Sequence, residues 1–212
     1  MKNVALISVF NFFLVFSIFA QGKQVVYSYN DVVSKDFFFG FGFKGNVFVN
    51  KNAFQDLEIW TEPALGVNMF AGHWFSKYVG GRILLEGGKV KPYFQRRTIM
   101  VEENYYLSRV DFLLDLTNML CGCSIKRFYN LIPYAGVSGA YVFNAENRPD
   151  NATKSTSFFF GVGLWNSFRL SDNLSACLNL GLDVVDANFD GSKNTRKLNG
   201  FASASLGFVI DF

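Results

Sequence analysis

Apolar and polar residues alternate in long stretches of this chain, most regularly over residues 155–186. The even positions there include Thr156, Phe158, Phe160, Val162, Leu164, Asn166, Phe168 and Leu170, and the odd positions carry Phe159, Trp165, Arg169, glycines and serines. After Ser171, Asp172 and Asn173, which have turn chemistry, Leu174, Ala176, Leu178, Leu180, Leu182 and Val184 alternate with Ser175, Cys177, Asn179, Gly181 and Asp183. Period 2 turns successive side chains to opposite faces of a strand, so the stretch predicts a β-hairpin with one greasy face. Strands of water-soluble proteins are usually about 5 to 6 residues long, whereas a tilted strand crossing a bilayer needs roughly 9 to 11. These two are of crossing length.

The same alternation predicts strands near residues 37–49, 65–74, 79–86, 106–117, 128–143 and 202–212, eight with the hairpin. The faces of 128–143 are the least distinct because of Pro133; we assign Leu131, Pro133, Ala135, Val137 and Tyr141 outward. Connections alternate in length: long at 50–62, 87–103, 144–154 and 187–199, short near 75–77, 118–126 and 171–173. An even number of antiparallel strands with short periplasmic turns and longer external loops is the plan of outer-membrane barrels. Closure also leaves no unpaired backbone edge in lipid. The expected fold is all-β, an eight-stranded antiparallel transmembrane up-and-down β-barrel over residues 36–212. A secreted soluble barrel also closes eight strands, but its apolar face would line the interior and its exterior would be charged. Here the polar face carries mostly Gly, Ser and Asn, which suits lipid outside.

The N-terminus agrees with this location. Residues 1–20 have a basic start at Lys2, an apolar run from Val4 to Phe19 and a small residue at Ala20, a secretory signal peptide. Residues 21–35 are polar and read as a periplasmic lead-in. Apolar residues make up 50% of the chain and there are 26 Phe, yet no second continuous apolar run follows, so the hydrophobicity is spread by alternation. The formal charge of +3 and the lack of a basic run give no support for nucleic-acid binding. Three cysteines, Cys121, Cys123 and Cys177, are an odd set that defines no disulfide framework.

Two segments carry a family resemblance. Tyr105-Tyr106-Leu107-Ser108-Arg109-Val110-Asp111-Phe112-Leu113-Leu114-Asp115-Leu116-Thr117-Asn118-Met119-Leu120-Cys121-Gly122, with Ile132-Pro133-Tyr134-Ala135-Gly136-Val137 after it, resembles the OmpA-like outer-membrane β-barrel proteins of Bacteroidetes-type bacteria, as does Gly161-Val162-Gly163-Leu164-Trp165-Asn166-Ser167-Phe168-Arg169-Leu170-Ser171-Asp172. The resemblance implies an integral barrel of the bacterial cell outer membrane. Many such proteins continue into a peptidoglycan-binding domain; with this chain ending at Phe212, that role is not carried over. The ending is also similar to the signal by which the barrel assembly machinery recognises its clients, with Gly207, Phe208, Ile210 and Phe212 as its residues.

The face assignment places Lys44, Arg82, Glu86, Arg109, Asp111, Asp115, Arg169 and Asp183 in the lumen. Buried charges are tolerated when paired and hydrogen-bonded, and an eight-stranded barrel is just wide enough for its own side chains to fill it. A mutual salt-bridge network is therefore expected, with a narrow ion path as the alternative. His73 is the sole histidine, at the end of a strand and beside aromatic residues, so a histidine-centred metal site or catalytic triad is not supported. No catalytic, cofactor-binding or metal-binding residue is assigned. Trp60, Trp74, Tyr78, Tyr105, Tyr106 and Tyr141 lie near strand ends, where aromatic girdles belong. Cys121 and Cys123 are expected to form a constrained disulfide or to stay as free thiols in a turn, and Cys177 to fill the interior.

The function expected is structural and surface-interacting: membrane integrity and loop-mediated adhesion, with outer-membrane lipid, the barrel assembly machinery and a host or cell-surface ligand as partners, no cofactor, and a monomeric state. A porin-like narrow channel is the alternative, and a membrane-embedded lipid-modifying enzyme a more remote one.

Overall fold

In the computed structural model, the residues described are 37–50, 63–90, 93–94, 99–100, 103–123, 127–143, 154–185 and 199–212. The expected signal peptide, the lead-in, Trp60 and most of the four long connections lie outside them. The strands in chain order are β1 (Phe37–Asn50), β2 (Ala64–Trp74), β3 (Val79–Val90), β4 (Tyr93–Phe94), β5 (Ile99–Met100), β6 (Glu103–Leu114), β7 (Tyr129–Phe143), β8 (Lys154–Arg169), β9 (Leu174–Val185) and β10 (Asn199–Asp211). Eight of them form a closed barrel in the order β1-β10-β9-β8-β7-β6-β3-β2, while β4 and β5 pair as a separate small hairpin. Every barrel pairing is antiparallel, including the β1–β10 pair that closes it, which runs from Phe38↔Asp211 to Asn50↔Asn199.

The alternation read from the sequence sets the two faces. Phe43, Leu65 and Phe158 are 73%, 75% and 78% exposed on the outside, while Phe38, Phe70 and Trp165 on the opposite parity are each 2% exposed inside. An apolar exterior around a filled interior inverts the layout of a water-soluble protein, and only a hydrocarbon surrounding makes it favourable. Among the described residues no helix is long and apolar enough to cross a membrane; the strands cross it.

Room for the interior side chains comes from inward glycines. A Cβ on Gly40 would meet the Phe70 ring, one on Gly72 the Phe38 ring, and one on Gly161 the Asp183 carboxylate. Each position is glycine because a ring or carboxylate occupies the space where its side chain would begin. At the closing seam Gly207 lies against the Phe41 carbonyl, with Gly42 Cα 2.8 Å from where its Cβ would sit.

Two expectations are corrected. Residues 87–90, read as loop, belong to β3, whose ladder with β6 continues through Gly87↔Tyr106, Gly88↔Tyr105 and Lys89↔Asn104. Backbone pairing there is indifferent to the glycines and lysine that suggested a turn. The strand expected to run to residue 117 stops at Leu114, and Leu116–Cys121 forms a short helix, α1. The competing signal is Asp115, whose carboxylate caps the helix by accepting from Asn118 N at 2.8 Å.

Candidate functional site

The lumen holds the chemistry of this barrel. Lys44 of β1, Glu86 and Arg82 of β3, Arg109 and Asp111 of β6 and Asp183 of β9 all point inward and are each at most 6% exposed. They divide into three cations and three carboxylates, so the cluster can be neutral as a whole.

Lys44 Nζ donates to both Glu86 oxygens at 2.6 Å, and the Tyr105 hydroxyl donates to Glu86 as well. Asn46 Nδ2 in turn donates to the Tyr105 hydroxyl at 2.7 Å. Arg82 grips Asp111 Oδ2 through Nε at 2.9 Å and Nη2 at 2.6 Å, and reaches Asn179 Oδ1 through Nη1 at 3.3 Å. Arg109 links the two remaining carboxylates: its Nη1 donates to Asp183 Oδ1 at 2.9 Å, and its Nε lies 2.7 Å from Asp111 Oδ1 as an ion contact. Lys44–Glu86 and Arg109–Asp183 thus join strands that are not neighbours in the sheet, Arg82 and Asp111 face each other on the adjacent β3 and β6, and Arg109 and Asp111 share one face of β6.

Aromatic rings complete the filling. The Arg82 guanidinium carbon stands 5.0, 4.7 and 5.2 Å from the ring centroids of Phe70, Tyr134 and Trp165, and that of Arg109 5.0 Å from Tyr134. Such cation–π contacts strengthen as water is excluded. Phe38 packs on Phe70, Trp74 and Trp165 with centroids 6.4, 5.9 and 5.2 Å away. Phe159 and Phe201 stack at 5.9 Å. A cavity of about 10 Å³ lies among Lys44, Asn46, Glu86, Tyr105, Phe159, Asp183 and Phe201, no more than about one water molecule needs.

Two residues of the expected lumen set sit elsewhere. Asp115 follows β6 and caps α1, also accepting from Asn118 Nδ2 at 2.9 Å; burial pushes its carboxyl up to about 6, against the opposing pull of the Asn118 backbone bond and Arg127. Arg169 ends β8 and bonds Asp172 in the next turn at 2.5 Å. Asp115 lies past the end of β6, and Arg169 is the last residue of β8, where its side chain turns to Ser171 and Asp172 of the turn instead of the lumen.

The girdle expectation is corrected at two positions. Tyr105 is 5% exposed and serves the lumen network, and Trp74 packs against the interior cluster. Parity with Arg109 and Asp111 on β6 marks Tyr105 as inward; position near a strand end argued the other way and lost. The sequence also hid Asn179, Tyr134 and Arg127. The last donates to the carbonyls of Cys121 and Gly122 at 3.3 and 2.6 Å, closing the end of α1.

On the outer parity, Asn166 interrupts the greasy face of β8. It is 1% exposed, accepts from the Tyr129 hydroxyl at 2.7 Å and donates to Leu178 O at 3.2 Å. His73 lies between Phe37 and Phe75, with ring centroids 4.4 and 5.4 Å away. Cys121 and Cys123 are free thiols and Cys177 is buried. Of the C-terminal residues, Phe208, Ile210 and Phe212 are exposed and Gly207 sits in the β1–β10 seam.

No protein-family model matches the chain. Outer membrane protein 40 of Porphyromonas gingivalis is 29% identical over 140 residues, 65% of this chain and 33% of the relative. Outer membrane protein 41 of the same organism is 24% identical over 204 residues, 89% of this chain and 51% of the relative. The chain thus spans about a third to a half of the length of these relatives. Among solved structures, Neisserial surface protein A matches with a TM-score of 0.54 at 10% identity, covering 83% of this chain and 97% of that one. The outer membrane protein OprG of Pseudomonas aeruginosa matches with a TM-score of 0.50 at 10% identity, covering 84% and 96%. These likenesses, together with the apolar exterior and the closed sheet, make the protein an eight-stranded β-barrel of the bacterial outer membrane.

Proposed function

We propose that this barrel is a structural and surface-displaying element of the outer membrane rather than a channel or an enzyme. The observation that carries the reading is the lumen: three buried cations are matched by three buried carboxylates, and aromatic rings fill the space around them. An ion entering would have to displace bonds whose groups have no water to turn to. In this reading the short turns face the periplasm and the four long connections face outward. Adhesion or recognition by host or neighbouring cell surfaces then belongs to those connections, and the barrel acts alone as a monomeric scaffold. The names of the Porphyromonas relatives support the outer-membrane location, and the OmpA-like resemblance of the sequence supports the structural role. His73 fits an interfacial role, stacked between phenylalanines.

The test is expression in a Gram-negative host of the full chain and of variants whose four long connections are shortened to tight turns. Folding, read from heat-modifiable gel mobility, should persist in both, and binding to epithelial or bacterial cells should be lost only in the shortened forms. Equal binding by the shortened barrels would overturn the display role.

A further inference from the structure

At its short-turn end the wall of the barrel is not strand all the way round. β6 ends at Leu114, opposite Val79, and pairs with β7 only as far as Leu113↔Tyr134. β7 starts earlier, at Tyr129, and pairs with β8 along its whole length. The first residues of β7 are therefore left without β6 beside them. An open backbone edge at the border of a bilayer is costly.

α1 stands in this gap. Thr117 Oγ1 accepts from Leu131 N at 2.7 Å, supplying the partner that β6 does not. On the other flank Asp115 N donates to Tyr78 O at 2.7 Å, and Asn118 Nδ2 to Lys77 O at 3.3 Å. Asp115 caps one end of the helix and Arg127 the other. The helix is thus tied to both neighbours and is part of the wall. What it leaves uncovered is chiefly apolar: Met119 is 51% and Leu120 70% exposed, beside the exposed Cys121 that ends the helix, with Phe75 at 67% and Phe128 at 58% on the adjoining segments. On β6 the outward row Tyr106, Val110 and Phe112 leads along the wall toward this surface.

We propose that α1 is an interfacial lipid anchor: it closes the wall where β6 ends and inserts Met119 and Leu120 into the boundary between headgroups and acyl chains at the short-turn end. The occupant is membrane lipid because this surface continues the lipid-facing belt, and apolar side chains on a short helix at that depth gain from burial against acyl chains. The function of α1 is then to fix the height of the barrel in the bilayer where, among the described residues, β6 leaves the wall without a strand.

The test uses the full chain reconstituted in phosphatidylethanolamine–phosphatidylglycerol bilayers, with Cys121 and Cys123 changed to Ser and the buried Cys177 left in place. A nitroxide is attached in turn to L120C, to V110C on the outer wall and to S171C in the β8–β9 turn. Collisions with oxygen and with a water-soluble nickel chelate are then compared. The expected result is an oxygen-to-nickel ratio at position 120 that is severalfold above that at 171 and on the side of 110. A ratio at 120 equal to that at 171 would put α1 in water and overturn the proposal. If L120C fails to show the heat-modifiable mobility of a folded barrel, M119C is read by the same criterion.

Discussion

Asp111 joins the two arginines of the lumen, and that makes it the residue on which the network turns. Its Oδ2 accepts from Nε and Nη2 of Arg82, and its Oδ1 lies against Arg109. Among the described residues, Asp183 bonds Arg109 and no second arginine. Removing one partner of a buried ion pair leaves the other charge unneutralised at a cost of roughly 3 to 5 kcal/mol. Asp111→Asn should therefore destabilise the barrel by about that amount and Asp183→Asn by less, as measured by urea unfolding of the protein in lipid vesicles. Equal losses would mean that Arg82 finds other support, from Asn179 or from the rings of Phe70, Tyr134 and Trp165. The same scale shows where residue type misleads: Asn166 on the lipid-facing parity is a polar interruption in the sequence, yet it is sheltered and bonded by Tyr129 across the strand pair. Only the register, Leu131↔Asn166 with Tyr129 two residues before Leu131, brings that hydroxyl within reach.

At the scale of elements, α1 carries a pH dependence with a definite sign. The Asp115 carboxyl is raised from 3.8 to about 6 in the folded protein, chiefly by burial. The folded state thus holds this proton more tightly than the unfolded one. The contribution to stability is fully present below the unfolded value and is lost as pH rises through the folded one, so the window lies between about 4 and 6. Barrel stability should fall across that window in urea titrations, and Asp115→Asn, which keeps a capping oxygen but cannot ionise, should flatten this part of the profile. An unchanged slope in the variant would assign the dependence to another group. α1 is also the element that sequence reading lost. Eight strands, their order and their faces were legible because period 2 is imposed by lipid on one side and a narrow lumen on the other. Asp115 and Thr117 continue that parity past Leu114 and so disguise a helix cap and the partner of Leu131 N as two more strand residues. Similarly, parity named six of the lumen charges, whereas their pairings depend on which side chains meet across the barrel, which no single strand encodes.

For the whole molecule, the proposed function requires that the barrel be closed by its own side chains and that it meet other surfaces at the ends of its strands. The closed sheet, the apolar exterior and the paired charges of the interior fit one design, in which the wall satisfies the backbone, the outside matches hydrocarbon and, in the reading proposed above, the packed inside leaves no continuous water path. The outer-membrane location follows from the first two features and from the relatives. The closed lumen we propose rests on the third together with the rings that pack around it. Planar-bilayer recording of the full-length protein tests it most directly: insertion should add no steady single-channel conductance at moderate voltage, and a reproducible conductance step accompanying each insertion would contradict the account.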